Sequence, residues 1–331
     1  MALRAEPLLS TCNLKTWFPV KKGVFARTIG YVRAVDDVSI NIFDGETLSI
    51  VGESGCGKST LARTILRLEK PRSGSVTLNG ENVFAMHGGK LKDFRRAVQV
   101  VFQNPQASLN PRHSILEILT EAMLAHGLTT KKKRESDAAA LLEDVGMPSD
   151  VLHRYPHEFS GGQRQRISIA RALSLNPKLL ICDEAVSALD LSVRAQVLNL
   201  LEDLRQKRGL SYLFITHDIS VVEHISDRIA VMYLGRIVET GPIETVMDAP
   251  AHPYTKLLMN AVPRIGKPLP ENRIPQGEIS QTAKTTGCPF APRCPLADSR
   301  CRTECPSLEP QSAENHECAC FKAKTASDYQ P

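Results

Sequence analysis

The sequence has no apolar stretch near the roughly 20 residues that a membrane-spanning helix needs. Its N-terminus also lacks the charged start, the apolar run and the cleavage site of a signal peptide. Lys and Arg number 41 against 36 Asp and Glu, and this net charge of +5 is too small and too dispersed to indicate nucleic-acid binding. We therefore expect a chain that sits in the cytosol or docks onto something there, with no transmembrane segment and no nucleic-acid partner.

The nine cysteines are unevenly distributed, because six of them lie between Cys288 and Cys320. A reducing compartment argues against disulfides, so the clustering suggests metal ligands more than covalent cross-links. With 331 residues, 42% of them hydrophobic, the chain can form one large α/β core plus an appendage, or two domains.

Short β-rich runs alternate with amphipathic helical patterns over about 34–250, which is typical of a largely parallel sheet covered by helices. The clearest predicted strands are Thr47–Val51, Leu179–Cys182 and Tyr212–Thr216. The pattern over about 103–176 is mostly helical and predicts a helical subdomain inserted between strands. A polar, proline-containing stretch after 261 is predicted to be a linker to the cysteine cluster.

An eight-residue phosphate-loop pattern begins at Gly52, directly after the first of these strands and before a predicted helix. Its glycines allow backbone N–H groups to face phosphates, and the helix N-terminus adds a positive dipole end. Lys58 is predicted to reach the β- and γ-phosphates of ATP, and Ser59 to bind Mg²⁺. The predicted phosphate-binding residues are Gly52, Glu53, Ser54, Gly55, Cys56, Gly57, Lys58, Ser59 and Thr60.

Two adjacent carboxylates follow the apolar run that ends at Cys182. An Asp-Glu pair after a strand is usually a helix cap, but a phosphate loop in the same chain reverses that interpretation. Asp183 is predicted to hold Mg²⁺ through a water, and Glu184 to polarise the water that attacks the γ-phosphate.

The stretch Phe159–Arg166, with Ser160, Gly161, Gly162 and Gln163 at the start of a predicted helix, resembles the signature of the ATP-binding cassette (ABC) ATPases. In that family two subunits meet head to tail, and the signature of one faces the ATP on the phosphate loop of the other. A helix start of this kind is an anion site without a nucleotide of its own. The resemblance covers about 14–261.

The resemblance implies roles for further residues that stand in the expected order. Gln103 completes the Mg²⁺ shell and senses the membrane partner, Asp190 lies at the subunit seam, and His217 contacts the γ-phosphate. Phe18 is expected to stack on adenine, with Tyr31 as a rival.

The resemblance also implies the fold class, an α/β phosphate-loop NTPase cassette with a parallel-sheet core, an antiparallel β subdomain and an inserted helical signature subdomain. We expect this nucleotide-binding domain over 1–262 and a small Cys-rich C-terminal extension over 263–331. The chain departs from the family at Ala185, where Pro usually follows the catalytic Glu, and the change removes a φ restraint and adds an N–H. Because Glu184 is present, we expect hydrolysis to be retained.

Within the family, the stretches Phe102–Pro105 with Ser108–Arg112, Val193–Val197 and His252–Thr255 resemble the dipeptide and oligopeptide importers. This implies an energy-coupling subunit at the cytoplasmic face of the bacterial inner membrane. Its partners would be a second ABC ATPase, alike or different, two transmembrane permease subunits and, indirectly, a solute-binding protein. Nickel or glutathione stays open as cargo. Soluble ABC ATPases of translation or DNA repair would show two cassettes or a long coiled-coil insertion, which this sequence lacks.

Four thiolates suit either a [4Fe–4S] cluster or a tetrahedral Zn²⁺. The resemblance to the importer subgroup selects Cys288, Cys294, Cys301 and Cys320 as ligands and favours the iron–sulfur cluster, with zinc as the alternative. The closely spaced cysteine pairs of a zinc ribbon are absent from the sequence, which also lowers the case for zinc.

Overall fold

A computed structural model describes residues 6–23, 27–260 and 286–323. The chain divides into two compact units. The phosphate-loop unit comprises Ser10–Asn41, Leu48–Thr77 and the described part of Thr216–Pro331. The signature unit comprises Ile42–Thr47, Leu78–Ile215 and the described part of Met1–Leu9. The predicted linker after 261 and the predicted domain boundary at 262/263 lie outside the described residues.

The described residues form twelve strands, eleven α-helices and three short 3₁₀ helices. The strands are β1 (Leu9–Lys22), β2 (Arg27–Ile42), β3 (Thr47–Val51), β4 (Ser73–Leu78), β5 (Glu81–Asn82), β6 (Val98–Phe102), β7 (Leu179–Asp183), β8 (Ser211–Thr216), β9 (Arg228–Tyr233), β10 (Arg236–Pro242), β11 (Glu309–Pro310) and β12 (Glu317–Cys318). The helices are α1 (Lys58–Ile65), α2 (Gly88–Ala97), α3 (Pro105–Ser108), α4 (Ile115–Ala125), α5 (Arg134–Asp144), α6 (Gly161–Leu173), α7 (Leu191–Arg208), α8 (Ile219–Ile225), α9 (Ile243–Asp248), α10 (Pro253–Asn260) and α11 (Ser299–Thr303), and the 3₁₀ helices are Val83–Ala85, Ser149–His153 and Pro156–Glu158.

The signature unit contains a parallel ladder in which β7 lies between β6 and β8. All five residues of β7 are buried, as expected of a central strand covered on both faces. The register places Asp183 opposite Phe102 on one side and opposite Ile215 on the other. The carboxyl ends of these strands therefore deliver their following residues to one edge of the sheet. Helices α3 to α6 occupy the region predicted to be helical.

The phosphate-loop unit contains strands in the order β11, β12, β10, β9 and β3. Strand β3 pairs in parallel with β9, whereas β9, β10, β12 and β11 pair antiparallel in succession. Strands β2, β1 and β4 form a second sheet in that order. The strands predicted at Thr47–Val51, Leu179–Cys182 and Tyr212–Thr216 are confirmed as β3, β7 and β8, to within one residue at their ends.

The C-terminal segment 286–323 is built into the core of the phosphate-loop unit. Phe290 is 1% exposed and lies 5.3 Å from Tyr233 and 5.5 Å from Tyr254, measured between ring centroids. Tyr233 and Tyr254 themselves approach to 4.6 Å. Aromatic pairs at these separations stabilise a core beyond the area that they bury. The extension thus shares one hydrophobic cluster with β9, β10 and α10.

Among the described residues, no helix is both long and apolar enough to cross a membrane.

Candidate nucleotide-binding and hydrolysis site

The phosphate loop connects β3 to α1 and depends on close backbone approaches that only glycine permits. Gly57 has φ +112°, and a Cβ on it would overlap the carbonyl oxygen of Ala34. A Cβ on Gly52 would overlap the carbonyl oxygen of Met232 in the same way. The loop is therefore pressed between neighbouring backbone segments of its own unit, and its glycines are sterically required.

Lys58 begins α1 and is 4% exposed. Its ammonium donates to the carbonyl oxygens of Gly52 at 2.7 Å and Glu53 at 2.9 Å, and lies 3.7 Å from the Cys56 sulfur. The charge is thus held inside the loop, at the N-terminus of a helix. Burial is the main reason that the pKa of the Cys56 thiol is raised, which suits a small neutral side chain at that position.

Glu53 is held by two residues that the motif pattern does not include. The Glu53 N–H donates to the Tyr254 hydroxyl at 3.0 Å, and Arg293 donates to both carboxylate oxygens at 2.9 Å each. The hydrogen bond to Glu53 is the main reason that the pKa of Arg293 is raised. The sequence showed Arg293 only as the neighbour of Cys294, with no spacing that links it to the loop.

The predicted catalytic acids lie at the end of β7, in the signature unit. Asp183 is 8% exposed, and Glu184 has φ +51° while its N–H donates to the Ile215 carbonyl at 2.9 Å. A left-handed conformation is uncommon for a residue with a side chain, and such strain is concentrated at functional sites. Ala185, which follows, is buried at 2% exposure.

Gln103 and Glu184, two of the predicted site residues, lie in direct contact. The Gln103 Nε2 donates to Glu184 Oε2 at 2.8 Å and lies 3.4 Å from the Ser187 hydroxyl, which in turn donates to the Glu184 carbonyl. Because β6 and β7 are parallel neighbours, the residue after β6 and the residue after β7 emerge side by side. Together with Asp183 they offer carboxylate and amide groups, the oxygen donors that Mg²⁺ prefers.

The signature residues begin α6, where Ser160 is the N-cap. The Gln163 N–H donates to the Ser160 hydroxyl at 3.4 Å, and the Ser160 N–H donates to the Gln163 side-chain oxygen at 3.0 Å, which forms a capping box. A Cβ on Gly162 would overlap Cγ1 of Val193 in α7, whereas a Cβ on Gly161 would meet nothing within 4 Å. Close packing therefore explains Gly162, whereas no described neighbour crowds the position of Gly161.

The remaining predicted residues lie at the start of a helix, directly after a strand, or at exposed positions of strands. Asp190 caps α7 by accepting from the Val193 N–H at 3.0 Å. His217 follows β8 and is exposed. Both adenine-stacking candidates are exposed, Phe18 by 37% and Tyr31 by 39%.

Tyr31 differs from Phe18 in its immediate surroundings. Its ring lies 6.1 Å from the ring of Trp17, and the Arg72 guanidinium lies 4.6 Å from the Trp17 centroid and 4.9 Å from the Tyr31 centroid. Arg33 lies 4.6 Å from Trp17. One face of Tyr31 is therefore engaged in a cation–π arrangement, and stacking on adenine stays a prediction for both aromatic residues.

The four cysteines selected as ligands line one small cavity of the phosphate-loop unit, together with Phe290 and His252. Burial raises the pKa of Cys288 to about 12 and that of Cys320 to about 11, so these thiols are protonated near neutral pH. Within the described residues, no three His, Cys, Asp or Glu side chains are grouped so as to hold a metal ion. Cysteine sulfurs are the donors that a thiolate-bound metal group needs, and the four side chains line the same cavity. Within the described residues, however, they are not grouped as a complete set of metal ligands.

A buried carboxylate joins the extension to β10 and α10. Glu239 is 0% exposed and accepts from the N–H groups of Ala251 at 2.7 Å and His252 at 2.8 Å. It also lies 2.7 Å from Nε2 of His316, on the extension. The His252 Nδ1 accepts from the Tyr254 N–H at 3.0 Å, and burial lowers the pKa of this histidine to about 4.

Two family models match the chain. The ABC transporter model matches residues 35–187, and the model of the oligopeptide/dipeptide transporter C-terminal region matches 238–301. The oligopeptide transport ATP-binding protein AppF of Bacillus subtilis is 46% identical over 96% of this chain and 98% of its own length. The dipeptide transport ATP-binding protein DppF of Haemophilus influenzae is 49% identical over 95% and 96%. The chain belongs to the ATP-binding proteins of the ABC transporter family, in its oligopeptide/dipeptide branch.

A solved structure of the ATP-binding cassette MJ0796, a dimer in a post-hydrolysis state bound to ADP and Pi, superposes with a TM-score of 0.63. It is 28% identical and covers 71% of this chain and 98% of that one. The predicted ABC ATPase cassette fold is confirmed, with sheets of mixed direction and helices, and this ABC ATPase hydrolyses ATP. The Cys-rich character of the C-terminal extension stays a prediction.

Proposed function

We propose that this ABC ATPase is the energy-coupling subunit of an importer for dipeptides or oligopeptides. The observation that carries the proposal is the Lys58 ammonium held inside a glycine loop at the start of α1. AppF and DppF are oligopeptide and dipeptide transport ATP-binding proteins, and together with the match to the oligopeptide/dipeptide transporter C-terminal region they support peptides as the cargo.

Each site residue has a separable task in this proposal. Lys58 and the N–H groups of the loop from Gly52 to Thr60 bind the phosphates of ATP. Glu184 orients the attacking water, and His217 contacts the γ-phosphate. Ser59, Asp183 and Gln103 would hold Mg²⁺, which supplies charge neutralisation on the phosphates when bound.

A second ATPase subunit completes the site. The exposed helix start at Ser160, Gly161 and Gly162 offers N–H groups to an anion, and Asp190 would lie at the subunit seam. The dimeric state of the MJ0796 cassette supports this arrangement. Closure is driven by ATP because the loop and the facing signature both bind it only in the closed dimer. Two permease subunits, and indirectly a solute-binding protein, would receive this motion at the cytoplasmic face of the inner membrane.

We also propose that Cys288, Cys294, Cys301 and Cys320 hold a [4Fe–4S] cluster. Their convergence on one cavity supports this proposal, since a [4Fe–4S] cluster is held by four Cys thiolates. The test is anaerobic purification with metal analysis and visible absorbance. A brown, iron-containing protein that loses its colour in Cys288→Ser but keeps it in Cys12→Ser is expected. A colourless, iron-free protein with one zinc per chain would assign the cavity to zinc.

The transport proposal is tested by co-expressing the chain with two permease subunits of a dipeptide importer and reconstituting the purified complex into vesicles that contain ATP. Uptake of a labelled dipeptide, absent from a matched Lys58→Ala complex, is the expected result. Uptake of nickel or glutathione without uptake of peptides would keep the energy-coupling role but replace the cargo. Failure of the chain to co-purify with permease subunits would contradict the transport proposal itself.

A further inference from the structure

The C-terminal extension contacts the phosphate loop through one two-pronged ion pair. Both terminal nitrogens of Arg293 donate to the two carboxylate oxygens of Glu53, each at 2.9 Å. The Arg293 side chain is only 9% exposed and that of Glu53 is 22% exposed. Paired, planar hydrogen bonds of this kind fix orientation as well as charge, and partial burial reduces screening by water.

The Arg293 end of the pair is itself fixed by the core. Its guanidinium carbon lies 5.7 Å from the Tyr233 ring and 5.9 Å from the Phe290 ring, and one nitrogen lies 3.4 Å from the Tyr233 hydroxyl. Cation–π contacts with two core rings hold the guanidinium in place. Contacts with the core therefore hold Arg293 in place where it binds Glu53 of the loop.

Every polar group of Glu53 has a partner in this arrangement. Its N–H donates to Tyr254, its carbonyl accepts from Lys58, and its carboxylate is held by Arg293. The orientation of the Glu53 peptide thus depends on α10, on α1 and on the extension together. The neighbouring N–H groups of the loop must face the phosphates. A change in the orientation of the Glu53 peptide would therefore change the arrangement of these phosphate-binding groups.

We propose that Arg293 is a positioning residue for nucleotide binding, acting through Glu53 in two ways. It fixes the conformation of the phosphate loop, and it neutralises a carboxylate of that loop that would otherwise repel the triphosphate. The proposal rests on the assignment of Gly52 to Ser59 as the ATP-binding loop. It gives the C-terminal extension a direct part in ATP binding.

The test measures the affinity of the purified full-length chain for a fluorescent ATP analogue, with thermal unfolding as a check of the fold. Arg293→Ala is expected to weaken binding by about 10-fold, because an unpaired carboxylate then faces the phosphates. Arg293→Lys keeps the charge but loses the paired, planar hydrogen bonds of the guanidinium. An intermediate weakening of the affinity, by about 3-fold, is expected. Arg302→Ala, an exposed arginine of the same extension, is the matched control and should bind like the wild type.

A double-mutant cycle separates this role from a merely structural one. In a Glu53→Gln background the repelling charge is gone and only the fixing of the loop is left to lose, so Arg293→Ala should weaken affinity by about 3-fold instead of about 10-fold. In the ATPase assay, Arg293→Lys should raise KM while kcat at saturating ATP stays within about 2-fold. If Arg293→Ala does not fold, Arg293→Lys alone decides the question.

Wild-type affinity in the folded Arg293→Ala variant, or in Arg293→Lys if that is the only folded variant, would overturn the proposal. An equal loss of affinity with and without Glu53→Gln would also overturn it. Lys58→Ala distinguishes the assignment of the ATP-binding loop from the proposed role of Arg293. If Lys58→Ala still binds the nucleotide normally, the assignment of the loop is wrong. If it abolishes binding while the Arg293 variants have no effect, only the role of Arg293 is rejected.

Discussion

The Gln103 side-chain nitrogen lies 2.8 Å from the Glu184 carboxylate, although the two residues are 81 positions apart in the chain. The contact follows from the parallel pairing of β6 and β7, which brings their carboxyl ends together. A hydrogen bond from an amide holds the carboxylate in a fixed direction. The carboxylate is thereby oriented by a contact within the chain itself.

Glu184→Gln tests whether this carboxylate is the general base. The amide cannot accept a proton from water, so turnover should fall by about 10²- to 10⁴-fold while ATP affinity changes by less than about 2-fold. Phosphate release and nucleotide binding measure the two quantities on the same sample. Glu223→Gln changes an exposed glutamate outside the site and should leave both unaltered. Normal turnover in Glu184→Gln would move the base to another residue.

Gly162→Ala tests the packing of the signature against α7. The new methyl group would overlap Val193, and overpacking of this kind costs about 1–3 kcal/mol, which should lower Tm by several degrees. Gly161→Ala is the matched control, because its Cβ meets nothing within 4 Å and alanine is a better helix former than glycine.

The double variant Gly162→Ala with Val193→Ala decides between overpacking and any other effect of the methyl group. Removing the two Val193 methyl groups makes room for the new one, so the Tm lost in Gly162→Ala should be largely recovered. A double variant that is no more stable than Gly162→Ala would show that the contact with Val193 is not the cause.

The parts of the site that the sequence predicted are contiguous motifs bounded by strands and helices. The phosphate loop follows β3, the acids stand at the end of β7, and the signature starts α6, so each could be recognised from local pattern alone. Strand–loop–helix context of this kind requires no knowledge of tertiary structure.

The parts that the sequence did not predict depend on contacts between distant segments. Glu53 and Arg293 are 240 positions apart, and no periodicity or spacing connects them. The close approach of Ala34 to Gly57 and of Val193 to Gly162 likewise arises from how neighbouring segments pack. The left-handed conformation of Glu184 and its N–H bond to Ile215 on the adjacent strand are also features that a single sequence does not reveal.

Buried His252 makes the stability of the phosphate-loop unit sensitive to acid. Its pKa is lowered to about 4 by burial, against about 6.5 in the unfolded chain, so between these values the unfolded state binds a proton that the folded state does not. The stability that comes from keeping this ring neutral is present above about pH 6.5 and is lost as the pH falls toward 4. Between pH 7 and pH 5 the loss amounts to about 2 kcal/mol.

His252→Asn should remove this acid sensitivity, because its side-chain oxygen can accept from the Tyr254 N–H as Nδ1 does, but it does not titrate. We expect the variant to be less stable than the wild type at pH 7, owing to lost packing, and the difference to shrink by about 2 kcal/mol at pH 5. Urea unfolding at both pH values measures it, with His153→Asn as the exposed control. Glu239 is the charged neighbour that opposes the shift, so the same difference at both pH values would mean that this carboxylate cancels the effect of burial and that the His252 pKa is not lowered.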